Sequence, residues 1–110
     1  MVTEQDLREA FATRSLVRGG EQYFDRENAV AFMAACAEND LAPVGLEGFD
    51  VRGATVSPRL DQIADFSNLT APSWTELKEK AVAAARAFLN QVEGSVTHFA
   101  VTLLSRSEWS

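Results

Sequence analysis

The segment Ser73–Gly94 limits the possible folds of this chain more than any other. Ser73-Trp74-Thr75-Glu76 has the spacing of a capping box, in which a hydroxyl and a carboxylate satisfy two exposed amides at a helix start. Trp74, Leu77, Ala81, Ala84, Ala85, Phe88, Leu89 and Val92 then recur at helical spacing, and Gly94 supplies a stop. Glu76 and Lys80, four residues apart, are placed to form an ion pair on the outer side. A helix that is apolar on one side only needs a surface to cover that stripe. Trp74 lies on the stripe and is expected in the core.

Strands are the expected partner. Leu41–Val51 reads as a strand opened by Pro43, with Val44 and Leu46 on one face and Glu47, Phe49 and Val51 on the other. Apolar groups on both faces predict cover on each side near its start. Arg52-Gly53 turns the chain. Thr55–Pro58 reads as extended or looped, and Ile63–Phe66 as a short second strand or an irregular turn. Ser95–Ser105 alternates Phe99, Val101 and Leu103 against His98, Ala100, Thr102 and Leu104, which predicts a final strand. The remaining tail carries Trp109, either pinned onto the body or exposed as an interface residue.

Two helices are expected earlier. Thr3 is placed to cap one running through about Arg14, with Leu7, Ala10 and Phe11 inward and Arg8, Glu9 and Arg14 outward. Gly19-Gly20 breaks that pattern. Asp25 is placed to cap a second helix over Arg26–Asn39, stopped at Asn39-Asp40, with Ala29, Val30, Phe32, Met33, Cys36 and Ala37 on its apolar face. The expected architecture is α+β: a single small domain over residues 1–110, with a two- or three-stranded sheet packed by about three helices.

Charge narrows the function classes. The 110 residues carry 16 acids, 10 Lys or Arg and a net charge of −6. A nucleic-acid or anionic-membrane surface needs a basic patch, so neither partner is expected. The acidity serves either solubility or a basic protein partner. One cysteine, Cys36, allows no internal disulfide and is expected as a small buried hydrophobe. Acids at the start of the chain are unlike a signal peptide, and no apolar run has the length of a membrane span, so a soluble, cytoplasmic protein is expected.

No catalytic signature stands out. The single histidine, His98, has no nucleophile elbow to serve, and one His with one Cys cannot make a four-ligand zinc site. Neither a metal nor a cofactor is expected. The acids are unevenly spread: between Glu38 and Asp65 lie six (Glu38, Asp40, Glu47, Asp50, Asp61, Asp65) against two bases, Arg52 and Arg59. Asp61 and Asp65 share a face if their segment is helical or extended, because their separation is four. With Glu47 or Asp50 they would form a solvated face, a partner-binding face, or a carboxylate pair for hydrolysis.

With these residues in view, the chain resembles small α+β immunity proteins of bacterial polymorphic toxin systems. The resemblance rests on G-L-E-G-F at Gly45–Phe49, I-A-D-F-S at Ile63–Ser67 and Trp74, and spans roughly Ala29–Leu104. It implies a non-catalytic antitoxin whose partner is a cognate toxin domain, for example a basic nuclease. On the charge distribution, Glu47, Asp50, Asp61 and Asp65 are the candidate contact residues, joined by Trp109. The alternatives are a small adaptor or ligand-binding domain, and a carboxylate-dependent hydrolase.

Overall fold

The computed structural model describes residues 2–109. Their order is α1 (Glu4–Ala10), a 3-10 turn (Ala12–Arg14), β1 (Leu16–Arg18), β2 (Glu21–Tyr23), α2 (Arg26–Glu38), β3 (Leu41–Arg52), β4 (Thr55–Asp65), α3 (Trp74–Gln91), β5 (His98–Ser105) and α4 (Arg106–Trp109). The architecture is α+β. An antiparallel sheet has the order β4-β3-β5, and β1-β2 forms a separate hairpin.

Local signals fix most helix starts. The Thr3 hydroxyl accepts from the Asp6 amide at 3.2 Å while the Asp6 carboxylate accepts from the Thr3 amide at 3.0 Å, a complete capping box. Asp25 accepts from the Asn28 amide at 2.8 Å, and Ser73 from the Glu76 amide at 3.2 Å. At α3 the box is half made. The Lys80 ammonium donates to the Thr70 carbonyl at 2.9 Å instead of forming the expected pair with Glu76. That carbonyl precedes the helix and has no partner in it, so it competes well for a cation.

Two element boundaries differ from those the sequence predicts. The first helix ends at Ala10 rather than near Arg14, and the chain tightens into a 3-10 turn. Gly19-Gly20 interrupts the helical pattern as expected, and with positive φ (58° and 81°) the pair joins β1 to β2 by a two-residue turn. The last strand begins at His98, not Ser95. Thr97 sits outside it, and its hydroxyl accepts from the Val51 amide at 2.9 Å.

The main core lies between the helices and one face of the sheet. Phe24 and Phe32 stack with ring centroids 4.4 Å apart, and Phe11 meets Phe32 edge-on at 5.3 Å. Leu46, Phe99 and Val101 from the sheet and Ala85 and Leu89 from α3 complete it. A second cluster joins Ala42 and Val44 to Trp74, Leu77 and Ala81, with Leu104 and Trp109 packed at its margin. Cys36 is wholly buried in the main core, and burial pushes its thiol up to about 12. It behaves as a hydrophobe.

Arg8 was expected on the outer side of its helix and is instead turned inward. Just after β2, Phe24 forms an isolated bridge to Phe99 of β5, their amides and carbonyls exchanging bonds of 2.8 and 2.7 Å. Beyond that bridge the Val101 carbonyl lacks a strand partner, and the Arg8 guanidinium donates to it at 2.8 Å. The same guanidinium pairs with Glu4 at 2.8 Å and lies 5.3 Å from the Phe32 ring centre. An unpaired edge carbonyl thus recruits a cation across 93 residues of chain.

Candidate functional site: the β3–β4 hairpin

Arg52 and Thr55 close a two-residue turn whose first central residue, Gly53, has φ 59°. Gly at that position suits a II′ turn, which matches the twist of paired strands. The return strand is one continuous element over Thr55–Asp65, not a loop followed by a separate Ile63–Phe66 piece. Its polar and apolar residues do not alternate cleanly, and pairing along β3 holds it extended nonetheless.

Two irregularities decide which side chains share a face. In β3, Val44 is an extra residue between the pairs Pro43–Leu103 and Gly45–Thr102. It packs with Ala42 and Trp74 in the second cluster, while Leu46 belongs to the main core. In β4, Arg59 pairs with Gly48 and Ile63 with Glu47, so Leu60, Asp61 and Gln62 have no counterpart on β3. Simple alternation cannot be carried across either point.

The resulting open face has two rows. Asp65, Gly45 and Thr102 lie side by side, and so do Ile63, Glu47 and Ala100. Asp65, Glu47 and Thr102 are exposed, and Ile63 retains 49% of its surface. Between the rows runs a shallow trough of about 250 Å³, lined by Val44, Gly45, Glu47, Ile63, Asp65 and Thr102.

The five candidate residues are therefore not one patch. Glu47 and Asp65 share the open face. Asp50 is on the opposite face by strand parity; its carboxylate pairs with Arg52 at 3.0 Å and its side chain is 19% exposed. Asp61 belongs to the unpaired segment, where Arg59 donates to both of its oxygens at 3.3 and 3.2 Å. Trp109 lies elsewhere and is half-buried, its ring centre 5.8 Å from that of Trp74. It lines a separate cleft of about 890 Å³ with Asp40, Trp74 and Arg106.

Among the described residues, five carboxyls depart clearly from their ordinary values, and all move down. The Arg59 guanidinium lowers Asp61, and the Ser67 hydroxyl and amide lower Asp65. That is the behaviour of paired or capping carboxylates and the opposite of what a general acid needs. No three His, Cys, Asp or Glu side chains of the described residues converge to hold a metal ion. No helix among them is long and apolar enough to cross a membrane.

Asp40 ties the end of α2 to α3. It follows α2 with φ 61°, and its Oδ1 accepts from the Lys78 ammonium at 2.9 Å and from the Trp74 indole at 3.3 Å. The Lys78 bond first, then the Trp74 bond, holds its carboxyl below the usual 3.8. A lowered folded value means stability that is present above pH 3.8 and lost as pH falls through the folded value. Asp40→Asn is therefore expected to reduce the loss of urea midpoint between about pH 5 and pH 2 relative to the wild type. Parallel acid limbs for the two proteins would refute this coupling.

The sequence reading missed Arg59, Leu60 and Ile63. Leu60 is 79% exposed, the most of any large apolar residue described, and Arg59 bridges Asp61 to Glu93 at 2.9 Å. The only sequence cue was R-L-D-Q-I at 59–63, where apolar and charged residues interleave without a clean period. No protein-family model matches the chain, and no curated protein and no solved structure is significantly similar to it.

Proposed function

We propose that this chain is a non-catalytic protein-binding domain, an immunity protein that neutralises a bacterial toxin domain through the open face of the β3–β4 hairpin. The observation that carries the reading is the placement of Glu47 and Asp65 beside exposed Ile63 on that face. Carboxylates around an apolar centre suit a basic partner: the charges steer association and the apolar group contributes on contact. The lowered carboxyls and the shallow trough give no corresponding support to a hydrolase. The resemblance of Gly45–Phe49 and Ile63–Ser67 to immunity proteins falls on this same hairpin. A cytoplasmic location follows from that role.

The test is to inspect the neighbouring genes for a secreted protein with a C-terminal toxin domain and to co-express that domain with this chain. The expected result is a one-to-one complex on size exclusion and restored growth of cells making that domain. Glu47→Lys with Asp65→Lys is expected to slow association by at least about tenfold at low salt, with cooperative unfolding retained. A well-folded wild type that forms no complex, with no growth rescue, would end the immunity reading. A complex indifferent to the double substitution would move the interface elsewhere.

A further inference from the structure

The unpaired segment Leu60–Gln62 is not a slack loop. Arg59 donates to Asp61 at 3.2 Å, to Glu93 at 2.9 Å and to the Ser95 hydroxyl at 2.8 Å, tying the segment to the end of α3. Gln62 folds over Gly48, so closely that a Cβ there would meet the Gln62 carbonyl at 3.0 Å. The backbone is held from both ends while Leu60, with 79% of its surface in water, is pushed away from the body. Exposing a leucine on a fixed support forgoes the stability of burial, yet its ordering cost on binding is already met.

Strand addition is a poor use of this edge. In the β3–β4 ladder the closing pair is Arg52–Thr55, so hydrogen-bonded pairs alternate and Pro58, opposite Phe49, occupies a non-hydrogen-bonded position. Its imide nitrogen faces outward and offers no donor. With three looped-out residues following, the edge is blunted against another strand. What the edge offers instead is a side chain. Around it stand Asp61 and Glu93, with Glu47 and Asp65 further along the hairpin, against the guanidinium of Arg59 and, at the hairpin turn, that of Arg52, which pairs with Asp50.

The geometry points to Leu60 as the apolar anchor of the interface, inserted into an apolar socket on a basic protein partner whose cations face the surrounding carboxylates. This rests on the partner-binding reading above. It adds that Arg59 is a positioning residue, acting through Leu60 rather than by touching the partner.

Calorimetric titration of the purified full chain with the same adjacent C-terminal domain tests it. Leu60→Ser is expected to raise Kd by about 30-fold or more, as a hot-spot residue does, with an unchanged melting temperature. Leu60→Met is expected to restore most of the affinity, and Val17→Ser, an exposed apolar residue on β1, to change nothing. Arg59→Gln is expected to weaken binding in the wild-type background but not further in Leu60→Ser, a coupling that a general loss of stability would not produce. A wild-type complex whose Kd moves less than twofold on Leu60→Ser would overturn the anchor and leave the immunity reading standing. Absence of any wild-type complex would overturn both.

Discussion

Phe99→Ala is expected to lower the unfolding free energy by about 4 kcal/mol, the largest single-residue loss we anticipate outside glycine and proline effects. Phe99 has no exposed surface, lies in the main core, and meets Phe88 edge-on with ring centroids 6.4 Å apart. Its backbone exchanges both hydrogen bonds with Phe24, which follows β2 and bridges the β1–β2 arm to the sheet. Truncation leaves a phenyl-sized void walled by α2, α3 and the sheet, and close-packed neighbours collapse only partly into such a space. For a domain whose total stability is about 5–15 kcal/mol, that is a loss of roughly a quarter to four-fifths of it. Urea denaturation read by tryptophan fluorescence measures it. A loss under about 1.5 kcal/mol would mean that the core around Phe99 repacks far more readily than its burial implies.

Gly48→Ala is expected to cost about 2 kcal/mol, although it adds one methyl group. A Cβ on Gly48 would lie 2.9 Å from Val96 Cγ1, 3.0 Å from the Gln62 carbonyl oxygen and 3.1 Å from Gln62 Cβ. The valine methyl can rotate away. The Gln62 carbonyl cannot, because it belongs to the segment pinned by Arg59. Combining Gly48→Ala with Val96→Ala should therefore leave a loss larger than Val96→Ala alone. A Gly48→Ala protein as stable as the wild type would show that Leu60–Gln62 yields, and would weaken the case for Leu60 as a preorganised anchor.

The candidate contact surface was partly legible in the chain and partly not. Glu47 and Asp65 stand out as acids in a strand-rich stretch, and they do share an exposed face. Asp50 carried the same compositional signal, but strand parity puts it on the other side beside Arg52. Asp61 and Asp65 were expected on one face from their even separation, and the looped-out residues between Arg59 and Ile63 remove the basis for that expectation. Trp109 was left between core and interface, and it packs half-buried on Trp74. Leu60 could not be recognised, because nothing in R-L-D-Q-I indicates that the chain leaves its ladder there.

Features governed by a few neighbouring residues could be read directly from the chain. Thr3, Asp25 and Ser73 open helices because each cap needs only an amide three residues on. The stop at Asn39-Asp40, the buried Cys36 and Trp74, and the α+β class follow from periodicity over a turn or two. Partnerships between distant residues arise only on folding. The polar β4 is a strand because β3 supplies its hydrogen bonds, and Arg8 turns inward because the Val101 carbonyl lies 93 positions away in sequence yet within reach in space. Bulges set strand register and charges choose their partners only once the strands are paired, so the faces that carry function are properties of the assembled sheet.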